Sequence, residues 1–122
     1  MAIPSRLMGS GAAPALAVNI CGDVVDTITA AGAANTDATG LSAAINRVST
    51  AGLGTGVRLM APEMGSQVAV MNSGANALLV YPSTGAAINA LAVSTGGFSV
   101  GIGGRALFIG TSSAQWFAVL SA

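Results

Sequence analysis

The sequence predicts an all-β fold: an antiparallel β-sandwich, jelly-roll-like, with an extended N-terminal arm over residues 1–20, a β-sandwich domain over residues 21–122 and at most one short helix. Three observations carry this. From residue 48 onward, short apolar runs alternate with clusters of Gly, Asn, Ser and Pro at regular spacing, as in sandwiches and barrels. Within Ser66–Asn72 the residues alternate, so that Val68 and Val70 share one face and Ala69 the other. The chain of 122 residues is also the size of one domain, long enough to bury a single core without disulfides or metals.

The elements follow in order. In the arm, Pro4, Gly9, Gly11 and Pro14 interrupt regular structure while Ile3, Leu7, Met8, Leu16 and Val18 stay apolar, so it is expected to lie on its own domain or on a partner rather than in solvent. Asp23–Ala30 (DVVDTITA) is rich in β-branched residues and reads as a strand. Leu41, Ala44, Ile45 and Val48 fall at i, i+3, i+4 and i+7, which predicts a short helix or turn within residues 36–47, with Gly40 arguing against it. Val48–Ala51 and Val57–Met60 are expected to form a hairpin across Gly52-Leu53-Gly54-Thr55-Gly56. Strands then follow at Ser66–Met71, Ala77–Tyr81, Ile88–Val93, Phe98–Ile102, Ala106–Gly110 and Gln115–Leu120, separated by residues that tolerate φ > 0 or bond their own backbone.

Composition excludes several functions. Four Arg, three Asp and one Glu, with no Lys or His, give a net charge of zero; that is too little positive charge to release counterions from nucleic acid. Leu, Ile, Val and Phe together make 31 residues, too many for a disordered chain without net charge. The uncharged run from Met64 to Gly104 is interrupted by Asn72, Asn76, Pro82 and Asn89 among others, so it reads as strands rather than a membrane span. Arg6 precedes only a weak apolar stretch broken by Gly9, Gly11 and Pro14, which is not a signal peptide; a product made in the cytoplasm is expected. Cys21 is the only cysteine and reads as a small buried hydrophobe rather than a reactive thiol.

No enzyme chemistry is legible, and no cofactor or metal is expected. Without His or Lys there is no Ser-His, Cys-His or Ser-Lys nucleophile, no Schiff base and no phosphate-loop lysine. A lone Cys21 supplies no zinc site, and no Asp-rich calcium loop is present. Asp23 and Asp26, three apart on a strand, point to opposite faces, so a glycosidase-like pair would need Asp37 or Glu63 from distant loops. Gly101-Ile102-Gly103-Gly104-Arg105 lacks the third spaced glycine and following helix of a phosphate loop and reads as a hairpin turn. Trp116 reads as core; with Phe117 it is also the one candidate for a sugar-stacking platform.

The segment Met64–Ala122 holds a single charge, Arg105. Monomeric proteins guard strand edges and solvated faces with charge, so much of this surface is expected to be covered by identical neighbours in a ring closed by symmetry, the alternative being a weakly charged monomer.

The runs Gly56-Val57-Arg58-Leu59, Val68-Ala69-Val70-Met71-Asn72-Ser73-Gly74-Ala75-Asn76-Ala77-Leu78-Leu79-Val80-Tyr81-Pro82 and Gly85-Ala86-Ala87-Ile88-Asn89-Ala90-Leu91, with the terminal Gln115-Trp116-Phe117, resemble small β-rich virion proteins of tailed bacteriophages, most closely capsid decoration (cement) proteins. The resemblance spans about residues 20–122; Ala90 departs from it, standing where a glycine often follows Ile-Asn. It implies a homotrimeric subunit, made in the host cytoplasm, that sits on the outer surface of the assembled head against the major capsid protein, with no nucleic-acid or membrane partner. In that setting Ile3, Leu7 and Met8 become apolar anchors for capsid attachment, and Arg6 a forked cation for a capsid carboxylate. A tail, baseplate or fibre module and a carbohydrate-binding β-sandwich are the alternatives.

Overall fold

From residue 24 to residue 81 the chain passes back and forth between two sheets, one strand at a time. The structure, a computed structural model, describes residues 4–11, 13–16 and 22–121. A short helix, α1 (Pro4–Gly9), precedes β1 (Val24–Thr29), β2 (Thr39–Gly40), β3 (Ile45–Thr50), β4 (Gly56–Arg58), β5 (Gln67–Asn72), β6 (Leu78–Tyr81), β7 (Ala87–Ile88), β8 (Phe98–Val100), β9 (Arg105–Ser112) and β10 (Gln115–Leu120). The strand orders are β1-β3-β5-β9-β10-β7 in a six-stranded sheet and β2-β4-β6-β8 in a four-stranded one.

The pairing is mixed, which corrects the expected antiparallel, jelly-roll-like arrangement. β1, β3 and β5 are parallel to one another, as are β2, β4 and β6, so the first six strands wind as a three-turn coil. Parallel neighbours need a crossover, and here a strand of the opposite sheet provides it. Antiparallel strand pairs are β5–β9, β9–β10 and β6–β8, with one isolated antiparallel bridge between Ala31 and Gly56, while β7 lies parallel to β10. The expected hairpin across Gly52–Gly56 is one casualty: Thr55 turns back on the Gly52 carbonyl through both its amide and its hydroxyl, but the chain then crosses to the other sheet, where β4 pairs with β2 and β6.

Three other expectations change. Of the short helix or turn expected within residues 36–47, the turn is present and the helix is not: the segment runs through a turn, β2 and the start of β3, and Asp37 Oδ1 accepts the amides of Ala33 and Ala34 and organises the turn. The strand expected at Ile88–Val93 stops after Ile88, because Asn89 adopts φ 51°, a left-handed conformation that Asn tolerates better than most residues. Its Oδ1 accepts the Ala118 amide and its carbonyl accepts Gln115 Nε2, which ties the end of β7 to β10. The N-terminal segment is not extended throughout: Pro4 opens α1, a position where its missing N–H costs nothing. Cys21 and Val18 lie outside the described residues.

One core joins the two sheets. Val48, Val70, Phe108 and Trp116 from the six-stranded sheet meet Val57, Leu78, Val80 and Val100 from the other, all fully buried, and Phe98 meets Phe108 edge to face at 5.5 Å. Fully burying a side chain of this class contributes about 1.5–3 kcal/mol. Two polar details hold the ends. A Cβ on Gly110 would run into the Glu63 carbonyl oxygen, because the loop before β5 crosses there, with Gly65 N donating to Gly110 O and Gly110 N to Ser66 O. Asn72, 2% exposed, donates through Nδ2 to the carbonyls of Asn76 (2.8 Å), Val100 (3.0 Å) and Gly101 (3.3 Å) and accepts the Gly74 amide on Oδ1 (3.0 Å). It thereby joins the turn after β5 to the turn between β8 and β9.

Candidate functional site

Five charged side chains, those of Asp23, Asp26, Asp37, Arg47 and Arg58, serve the scaffold. Asp23 Oδ1 accepts the Ala44 amide at 2.9 Å, holding the approach to β3 against the start of β1. Asp26 receives Arg47 Nε at 2.7 Å and Nη2 at 3.3 Å, while Arg47 Nη1 reaches Ser73 Oγ at 2.9 Å. The Arg47 hydrogen bond, and then its charge, hold the Asp26 carboxyl below its ordinary pKa; the same contacts raise that of Arg47. Arg58 Nη1 donates to the Asn35 carbonyl, and Tyr81 Oη to that of Ala33. Asp23 and Asp26 are thus committed to different neighbours, Asp37 to its own turn, and Glu63 lies in the loop crossing Gly110. Among the described residues no group of three His, Cys, Asp or Glu could hold a metal ion, and no helix is long and apolar enough to cross a membrane.

The glycine run and the aromatic pair resolve structurally. Gly101–Gly104 is a turn closed by Gly104 N on Gly101 O at 2.8 Å and fastened by Asn72; strand β9, not a helix, follows it. It links two sheets rather than two strands of a hairpin. Trp116 is fully buried, so it offers no platform to a sugar, whereas Phe117 on the opposite side of β10 is 50% exposed. Buried Asn46 donates to the Ala43 and Ala69 carbonyls, and its Oδ1 has no donor.

Of the four residues expected to attach to a capsid, Ile3 and the side chains of Arg6 and Leu7 lie outside what the structure describes. Met8 is exposed on α1, whose end is closed by Gly11 N on Met8 O at 3.0 Å. Arg6, Leu7 and Met8 therefore share one turn of helix instead of succeeding one another along an extended strand.

Strand register assembles a surface that the sequence alone does not display. On the outer side of the six-stranded sheet Val24 pairs with Ile45, Ile45 with Ala69, Ala69 with Leu107 and Leu107 with Val119. Five strands thus contribute one uninterrupted apolar row. The next row holds Gln67, Ile109 and Phe117; on the other flank Arg47, Met71 and Arg105 are in register. Ala69, Met71, Leu107 and Val119 line a shallow groove of about 330 Å³ between the rows. Comparison with known proteins finds no matching family model, curated protein or solved structure.

Proposed function

We propose that this chain is a structural protein of a tailed-bacteriophage virion: a capsid decoration protein that binds the outer surface of the assembled head as a homotrimer and stabilises it. The observation that carries the reading is the nearly uncharged β body from Met64 onward, in the sequence runs that resemble decoration proteins. Earlier in the chain, Asp23, Asp26, Asp37, Arg47 and Arg58 are taken up by scaffold contacts, while the β body presents apolar surface at Leu107, Phe117 and Val119. Such a molecule is suited to binding large surfaces. The sandwich in this reading is the mixed, coil-like one described above.

A decoration protein acts by mass action. It binds the assembled lattice and not the free subunit, so occupancy adds to the stability of the shell at every site, and three attachment points on one trimer raise the effective affinity. Ile3, Arg6, Leu7 and Met8 are the proposed attachment residues, with the major capsid protein as partner. Thermal disruption of empty heads of the phage that encodes the chain, with and without saturating protein, tests the reading. A higher disruption temperature is expected; an unchanged one refutes it.

A further inference from the structure

We infer that the outer face of the six-stranded sheet, centred on the row Val24–Ile45–Ala69–Leu107–Val119, is the surface through which copies of this chain pack on one another. This rests on the proposed self-association and specifies the face responsible. Outward side chains of a solvated sheet are ordinarily polar. Here Val24 is 58% exposed, Val119 62%, Leu107 38% and Phe117 in the adjoining row 50%.

Charge selects the occupant. The apolar row has no ionisable group, and in the flanking row Arg47 is neutralised by Asp26 of β1 within the chain, leaving Arg105 as the one cation there without a salt bridge among the described residues. An acidic or basic partner finds almost nothing to pair with. A surface equally bare of charge suits this face, and every other copy of the chain presents one.

Size agrees. Five strands about 4.8 Å apart make the row roughly 19 Å long, and with strands of six residues the face covers about 400 Å² in projection. That area, which includes the flanking rows, is about half of what one partner brings to a standard interface, so the face makes the centre of a larger contact. Within it the apolar row and Phe117 form the dry centre, and the polar residues of the flanking rows form the rim. Three such faces turned towards a common axis would each meet two neighbours, so the geometry accommodates a closed trimer.

The test is the mass of the full-length chain by sedimentation equilibrium at micromolar concentration, for wild type, Val119→Glu, Phe117→Gln and the control Leu53→Glu. Leu53 is 89% exposed and lies in the loop between β3 and β4, off the face. Thermal melts verify that each variant folds; the uncharged Phe117→Gln serves if Val119→Glu does not. The expected masses are about 35 kDa for wild type and control, three times the 11.7 kDa chain, and one chain mass for folded face variants. Their self-dissociation constant should rise at least thirty-fold, roughly the loss of one interface hot spot. A wild type of two chain masses with monomeric variants supports the face and refutes the trimer. Folded variants that keep the wild-type mass refute the face and leave the trimer standing. A monomeric wild type refutes both, including where the variants lose binding to heads, since capsid protein would then be the occupant.

Discussion

Replacing Asn72 by Ala should be among the most damaging single changes that leave the hydrophobic core's aliphatic side chains untouched. The side chain is 2% exposed and makes four contacts within 3.3 Å, with the carbonyls of Asn76, Val100 and Gly101 and the amide of Gly74. Two of the carbonyls share one N–H, so about three net hydrogen bonds are lost, at roughly 1 kcal/mol each, and the groups left behind are poorly placed to find water. A loss of about 3 kcal/mol is a large share of the 5–15 kcal/mol that holds an ordinary domain together. At about 4 °C per kcal/mol for a chain of this length, Tm should fall by about 12 °C. Asn76→Ala removes one bond, Nδ2 to the Ala51 carbonyl at 2.9 Å, and should cost about 1 kcal/mol. Asn72→Asp adds a sign test. A carboxylate facing three carbonyls in a buried site has its pKa raised on folding, so the folded state binds more protons than the unfolded one and stability falls as pH rises through the carboxylate range. The assay is thermal and urea unfolding followed by far-UV circular dichroism. The reasoning is refuted if Asn72→Ala lowers Tm no more than Asn76→Ala, or if Asn72→Asp is as stable at neutral pH as in acid.

Gly110→Ala should cost more than about 2 kcal/mol in urea unfolding, because the new methyl meets the Glu63 carbonyl of a crossing backbone rather than a movable side chain; a neutral result would show that the loop yields. The Asp26 carboxyl should titrate below its ordinary value of 3.8, as read by its side-chain carbonyl NMR shift, and return towards that value in Arg47→Ala. Since its pKa is depressed on folding, its contribution is complete above the unfolded value and is lost as pH falls through the folded one; in this exposed pair the effect should shrink with added salt. Deleting residues 2–12 should leave the cooperative melt of the β body unchanged while weakening attachment to heads more steeply than the loss of one contact, because three arms of the proposed trimer would act together; equal attachment would move the contact to a loop of the β body.

Inward and outward positions were legible from the sequence where strands are regular. Val68 and Val70 do face the core while Ala69 and Met71 face out, because a pleated strand alternates whatever its neighbour's direction. That independence explains what was hidden: alternation is the same in parallel and antiparallel sheets, so nothing local to Val48–Ala51 distinguishes a hairpin from a passage to the other sheet. The spacing of Leu41, Ala44, Ile45 and Val48 fits a helix, yet the buried positions are Leu41, Ala43, Asn46 and Val48, a set that includes a polar residue held by two carbonyls. Asn89 ends β7 through its own backbone conformation, which no apolar pattern records. The sparse charge after Met64 pointed to a covered surface but not to which one, since the apolar row is built from five strands whose register exists only in the fold.

The central claim, that the chain decorates an assembled head, is tested most directly by co-sedimentation of the purified protein with expanded empty heads and, separately, with unassembled major capsid protein of the same phage. A decoration protein should bind heads saturably, with bound copies in multiples of three, and should not bind the free subunit. Binding to neither, or equal binding to both, would contradict the claim.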